Sequence, residues 1–212
     1  MAPRHAAIVF DFDGVLVESV DVKTRAFAAL YAEHGEAVVR AVTDYHLANG
    51  GISRYVKFRH YQENLLGRPY DDALGAELSA RFSRLVVDAV VAAPAVAGAR
   101  EFLERYHARV PLYVASGTPE EELREIVARR GLGGYFAGVY GTPATKGEIL
   151  RRIAAARALD PARILMVGDA LSDLAGAREA GTAFIGRRTA GGEAFPAGVT
   201  VIADLRELPA LA

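Results

Sequence analysis

Two aspartates, Asp11 and Asp13, close the first apolar run of the chain ("AAIVFDFDGVLVES", residues 6–19), and Gly14 follows at once. Like charges at the end of a buried strand lose hydration and repel each other, so they need compensation. Groups of matching chemistry recur further on: Ser116, Gly117 and Thr118 in "VASGT", Lys146 in "TKGEIL", and Gly168, Asp169 and Asp173 in "VGDALSD". Brought together, they make four carboxylates, one ammonium and a set of hydroxyl or amide donors. A hard divalent cation offsets such a cluster, and Mg²⁺ favours a few carboxylates with waters and phosphate oxygens. A lysine, hydroxyls and free amides suit a phosphoryl group in transfer. A carboxylate can itself attack phosphorus and form an aspartyl phosphate. One aspartate as nucleophile and its neighbour as proton handler is the chemistry these residues point to.

That chemistry requires the groups to converge, and the order of elements provides for it. Strand-like runs occupy residues 7–10, 111–116, 138–140, 163–169, 182–186 and 199–204. Helical patterns separate them at 99–107, 119–130, 146–158 and 171–180, the second and the last ending near Gly131 and Gly181. Strand alternating with helix predicts an α/β fold, a mostly parallel sheet with helices on both faces. Ligands bind beyond the carboxyl ends of such strands, where Asp11, Asp13, Ser116, Gly117, Thr118, Asp169 and Asp173 all fall. Ser116 and Thr118 are also placed to cap the helix that follows Pro119. Residues 18–92 lack a strand pattern and carry helical ones at 22–34, 54–66 and 72–91. The reading is a core of residues 1–17 and 93–212 with an all-helical insert, residues 18–92. Pro94 and Gly98 in "AAPAVAGA" mark the return to the core.

Composition narrows the function classes. The 212 residues are 51% hydrophobic and 24% charged, enough for one core and a smaller insert. Lys and Arg number 25 against 26 Asp and Glu, a net charge of -1, so no partner among nucleic acids or anionic membranes is expected. With 8% aromatic residues and no Trp there is little to stack on bases. The absence of cysteine excludes disulfides, thiolate metal sites and cysteine nucleophiles, and suits the cytoplasm. No run approaches the roughly 18 apolar residues of a membrane span, and Asp11 and Asp13 interrupt any secretory segment. The sequence assigns no oligomeric state.

"DFDGVLVES", "VASGT", "TKGEIL" and "VGDALSD", in this order, resemble the four motifs of the haloacid dehalogenase superfamily. With "PAVAG" at the insert's exit, the resemblance spans the whole chain. It points to the branch that is phosphoglycolate phosphatase-like or β-phosphoglucomutase-like, a Rossmann-like core with a helical cap. It implies that Asp11 is the nucleophile and Asp13 the general acid/base. Mg²⁺ would be held by the Asp11 carboxylate, the Asp13 backbone carbonyl and Asp169, with Asp173 supporting its waters or the lysine. Ser116 and the Gly117 amide would bind the phosphoryl group, Thr118 would support them, and Lys146 would neutralise charge. Dehalogenase and phosphonatase members lack an acid at the position of Asp13, so its presence points to phosphate esters. The implied activity is hydrolysis of a small phosphorylated metabolite, of the phosphoglycolate or sugar phosphate type.

Two alternatives accompany that reading. In a sugar phosphomutase a second sugar hydroxyl, not water, collects the phosphoryl group. "GISR" in the cap resembles that branch's substrate-reading loop, but Lys23 stands where those enzymes carry a cap histidine. A non-catalytic phosphate-binding protein would be expected to lack Asp11, Asp13 or Lys146. In "NGGISRYVKF" (residues 49–58) the resemblance implies a loop that dips into the core site. Arg54 is then either a reader of a second polar or anionic group or a solvated helix cation. Lys57 and Lys23 are further cap candidates. His34, His46 and His60 lack metal-ligand spacing and are expected as surface or core residues.

Overall fold

The apolar runs form six parallel strands: β1 (Ala7–Phe10), β2 (Leu112–Pro119), β3 (Gly138–Thr142), β4 (Ile164–Gly168), β5 (Ala183–Arg187) and β6 (Val201–Ile202). In the computed structural model, which describes residues 4–190, 192 and 194–210, they make one sheet in the order β3-β2-β1-β4-β5-β6. Central β1 sets Val9 beside Tyr113 on β2 and Met166 on β4. Successive side chains point to opposite faces of a strand, so residue parity assigns the two cores. Ile8, Phe10, Leu112, Val114, Leu165 and Val167 join one apolar cluster; Ala7, Val9, Tyr113, Ala115, Ile164 and Met166 join the other. Helices α5 (Ala99–Tyr106) and α6 (Glu120–Arg129) contribute to the first, α7 (Lys146–Arg157) and α8 (Leu171–Ala180) to the second. Burial on both faces is what lets these strands read as nearly continuous apolar runs.

Local chemistry sets the helix ends that matter for the site. Thr145 and Glu148 form a reciprocal capping box, which places Lys146 at the first helical position of α7. Asp173 accepts a hydrogen bond from the Ala170 amide at the start of α8. The expectation that Ser116 or Thr118 caps α6 is not met: Pro119 occupies the cap, with no side-chain hydrogen bond. Both side chains are thereby left to the site.

Between β1 and α5 the described chain contains no strand. It holds α1 (Val20–Leu30), α2 (Glu36–Ala48), α3 (Arg54–His60) and α4 (Asp72–Ala92). Their packing centres on an aromatic group of Phe27, Tyr31, Phe58, Tyr61 and Phe82, with Phe27 and Phe82 rings 4.3 Å apart. The helical pattern over 54–66 is two elements: α3 runs into a π-helical turn at Tyr61–Leu65, where the Leu66 amide reaches back to the Tyr61 carbonyl at 3.0 Å. The run over 199–204 narrows to the two residues of β6. This helical cap joins the core through two adjacent crossings. The Glu18 amide bonds the Pro94 carbonyl at 2.9 Å, and the Val96 amide the Leu16 carbonyl at 3.0 Å. No described helix is long and apolar enough to cross a membrane.

Candidate active site

Asp11 is the first residue beyond β1 and is 2% exposed. One of its oxygens accepts the Phe12 amide at 2.7 Å and the other the Lys146 ammonium at 2.8 Å. Burial pushes its carboxyl up to about 7 even though Lys146 opposes the shift. Lys146 also donates to Asp173, which is fully buried. Burial would lower the lysine, but Asp11 and Asp173 outweigh it and raise its pKa, so it stays an ammonium.

Asp13, two residues on, meets different partners. Ser19 donates to it at 2.6 Å and the Lys23 ammonium at 2.5 Å. Lys23 reaches in from α1 and also donates to the Thr118 hydroxyl at 2.8 Å. Burial works against the charged form of Asp13, yet the Lys23 and Ser19 contacts prevail and hold it below the usual carboxylate range. Neighbouring carboxylates are thus driven apart, the buried one up and the bridged one down.

Immediately after Asp13, Gly14 takes the left-handed backbone conformation (φ 73°), and any side chain there would run into the Asp169 carboxylate. Arg187 fixes this turn by donating to the Gly14 carbonyl at 3.1 Å while gripping both oxygens of Glu18. Asp11, Asp169 and Asp173 each offer an oxygen within 4.8 Å of the others. Burial, then Asp11, raise Asp169 well above the ordinary carboxylate value. Lys146 alone therefore does not balance the cluster, and these hard oxygens fit a divalent cation. Asp11 and Asp173 are each already engaged by Lys146 and a backbone amide, so Asp169 is the most available ligand of the three.

Ser116 and Gly117 complete the core side. Ser116 is 2% exposed, and its oxygen accepts the Thr118 amide at 3.2 Å, which leaves its proton free to donate. The cap loop presses directly on this floor. A side chain at Gly117 would meet the carbonyl oxygens of Gly51 and Ile52, and Ser172 donates to the Gly50 carbonyl at 2.8 Å. Cap and core together enclose a cleft lined by Asp11, Asp13, Lys23, Ser116, Thr118 and Asp169, with Phe27, His46, Arg54, Lys57 and Phe82 on the cap side.

Arg54 is not a solvated helix cation. It is 4% exposed and paired through both nitrogens with Glu122 of α6, a pair joined by Ser83 of α4. Glu122 was not among the residues expected here, because acids in the first turn of a helix are ordinary dipole partners. Lys57 is buried against His46, whose Nδ1 lies 2.7 Å from the ammonium. His46, expected as surface or core, is buried in the wall of the cleft. Ser19 is a further contact of Asp13 that the motifs did not single out.

Residues 5–181 match the sequence model of the haloacid dehalogenase-like hydrolases. The chain belongs to this family. Among relatives of this haloacid dehalogenase-like hydrolase is a phosphoglycolate phosphatase of Synechococcus elongatus, 26% identical over 188 residues, covering 82% of this chain and 80% of the relative. A crystal structure described as a predicted phosphoglycolate phosphatase from Haemophilus somnus superposes with a TM-score of 0.77 at 17% identity, covering 99% and 98% of the two chains. CbbY from Rhodobacter sphaeroides, solved in complex with phosphate, has a TM-score of 0.74 at 19% identity, covering 96% of each chain. These structural likenesses establish the α/β sheet with its helical cap as the family's fold.

Proposed function

We propose that this haloacid dehalogenase-like phosphatase is a Mg²⁺-dependent enzyme of the cytoplasm that hydrolyses a small phosphorylated metabolite through an aspartyl phosphate on Asp11. The observation that carries the reading is the pairing of Asp11 with Lys146 beside an Asp13 held by Ser19 and Lys23, at the floor of a cap-covered cleft. The relative that is a phosphoglycolate phosphatase, and CbbY, solved with phosphate and as a variant with xylulose-(1,5)bisphosphate, support a small phosphate ester as substrate.

Hydrogen bonds from Phe12 and Lys146 orient the Asp11 carboxylate for attack on phosphorus. The new bond forms from an Asp11 oxygen as the bond to the leaving alcohol breaks. The proton that the alcohol needs is available within the Asp13–Lys23 pair, and ionised Asp13 then takes one from the water that attacks phosphorus as its bond to Asp11 breaks and phosphate leaves. Ser116 and the Gly117 amide bind the phosphoryl oxygens, while Lys146 offsets their charge and that of Asp11. Bound by the carboxylates of Asp11 and Asp169 and the backbone carbonyl of Asp13, Mg²⁺ would supply further positive charge to the transferring group. The cap loop on Gly117 excludes bulk water. Lys23, Arg54 and Lys57 are the cap's candidates for reading the substrate.

The test is phosphate release from a panel of small esters, phosphoglycolate and sugar phosphates among them, with and without Mg²⁺. Metal-dependent release is expected. Interconversion of a sugar phosphate without release would replace the phosphatase by a phosphomutase. Neither reaction from folded protein would leave a phosphate-binding protein.

A further inference from the structure

Among the described residues around the cleft, the cations pair off with one exception. Lys146 is bonded to Asp11 and Asp173, Lys23 to Asp13, and Arg54 to Glu122. Among the described residues lining the cleft, Lys57 is the cation with no carboxylate partner. It is 3% exposed, its ammonium donates to His46 Nδ1 at 2.7 Å and to the His46 carbonyl at 3.3 Å, and it lies 5.5 Å from the centre of the Phe27 ring. An ammonium buried with only neutral acceptors is costly, and a methionine of similar length would fill the same space without that cost.

We propose that Lys57, held by His46, is a specificity-determining residue that binds a carboxylate at the far end of the substrate from the phosphate, a role that rests on the phosphatase reading above. Three features support this. Burial, with repulsion from Lys23 and Lys146, draws Lys57 down to about 7, so its charge is electrostatically in touch with the two lysines that bond the catalytic carboxylates. His46 is lowered to about 3 by burial and by Lys57, which keeps the imidazole neutral and its Nδ1 free to accept. Its Nε2, which then carries the proton, is a buried donor with no partner. The class of ligand follows from the charge count. Glu122 already neutralises Arg54, so a single positive charge remains on this wall. One carboxylate balances it, whereas a second phosphate dianion would leave excess negative charge in a largely apolar wall of Phe27, Ile52 and Phe82.

The experiment compares three ligands with one phosphate-bearing end in common. Phosphoglycolate carries a carboxylate, 2-hydroxyethyl phosphate a neutral hydroxyl in its place, and ethane-1,2-diyl bisphosphate a second phosphate. Binding is measured by calorimetry in the Asp11→Asn protein, which holds ester without turning it over. Phosphate release is measured separately in the wild-type enzyme. The carboxylate ligand is expected to bind at least about tenfold tighter than the neutral one, and Lys57→Met to lower that ratio by about 10- to 100-fold, the range for one charged hydrogen bond. Lys57→Arg is expected to keep most of the preference. The ratio cancels any general loss of folded protein, and the preference of the Lys57-containing protein stands as a measurement even if the methionine variant does not fold. Equal binding of carboxylate and neutral ligands, a ratio that survives Lys57→Met, or preference for the bisphosphate would overturn the proposal. A Lys57-dependent carboxylate preference without phosphate release would support it and overturn the phosphatase reading instead.

Discussion

Replacing Glu122 with alanine would leave the Arg54 guanidinium buried with only neutral neighbours, the hydroxyls of Ser79 and Ser83 and the ring of Phe82. Arg54 is 4% exposed and the Glu122 side chain 10%, so bulk water screens little of this interaction. Removing one member of such a pair costs about 3–5 kcal/mol, because the remaining charge loses its compensation in a site it cannot leave. Against a total stability of about 5–15 kcal/mol that is a large fraction. Replacing both residues with apolar ones of similar volume, Arg54→Met with Glu122→Leu, is expected to fall within about 1 kcal/mol of the parent, since no orphan charge remains. There is one route of escape. Arg54 belongs to the cap and Glu122 to the core, so an outward swing of the cap would rehydrate the guanidinium and limit the loss to the cost of opening. Urea unfolding of the two singles and the double measures the coupling, and amide exchange in α3 detects the swing. If Glu122→Ala shifts stability by less than about 0.5 kcal/mol and leaves α3 exchange unchanged, the pair contributes no more than a solvated surface pair, and the reasoning fails.

Three other outcomes follow from the same geometry. Asp11→Asn is expected to remain folded, by its thermal transition, and to lose turnover by more than about a thousandfold; retained activity would displace the nucleophile. Gly14→Ala combines a left-handed backbone position with a collision at Asp169, so it should cost at least about 1–2 kcal/mol in urea unfolding and weaken metal-dependent activity. Lys57 titrates near 7 when folded and in the ordinary lysine range when unfolded, so between those values the unfolded chain holds a proton the folded one lacks. Relative to Lys57→Met, stability should therefore rise with pH through that window, by at most about 1.4 kcal/mol per unit, and stay flat below it; urea midpoints at about pH 6 and about pH 9 compare the two.

The core was legible because apolar runs, helical periodicity and turn residues are local signals. The continuous apolar run over 7–10, and the glycines Gly131 and Gly181 that end helical patterns, are each read within a few positions. Convergence of Asp11, Ser116 and Asp169 followed from the rule that a parallel sheet binds ligands beyond its strand ends, and Lys146 joins them from the start of α7. What escaped depends on partners far apart in sequence. Glu122 sits in an acidic first turn that a helix dipole explains fully, and nothing near it announces an arginine from the cap. His46 lies in the last turn of α2, a helix absent from the patterns read in the sequence, and its importance appears only when Lys57 comes within 2.7 Å. The break of α3 into a π-turn is equally silent, since Tyr61 and Gln62 are as helical by type as the residues before them.

The side-by-side crossing at Val17 and Ala95 gives the cap a property of its own. An inserted segment whose two ends leave and return through adjoining residues imposes almost no distance constraint on the sheet it interrupts. The order of strands, the capping box at Lys146 and the turn at Gly14 are all set within the core. The helical layer beyond α1 can therefore be lengthened, rebuilt or exchanged without disturbing Asp11, Lys146 and Asp169, so long as Ser19 and Lys23 remain to hold Asp13. Such an arrangement lets selection alter what the enzyme recognises while these two contacts keep how it cleaves, with the boundary between the two drawn near one hydrogen-bonded pair of chain crossings.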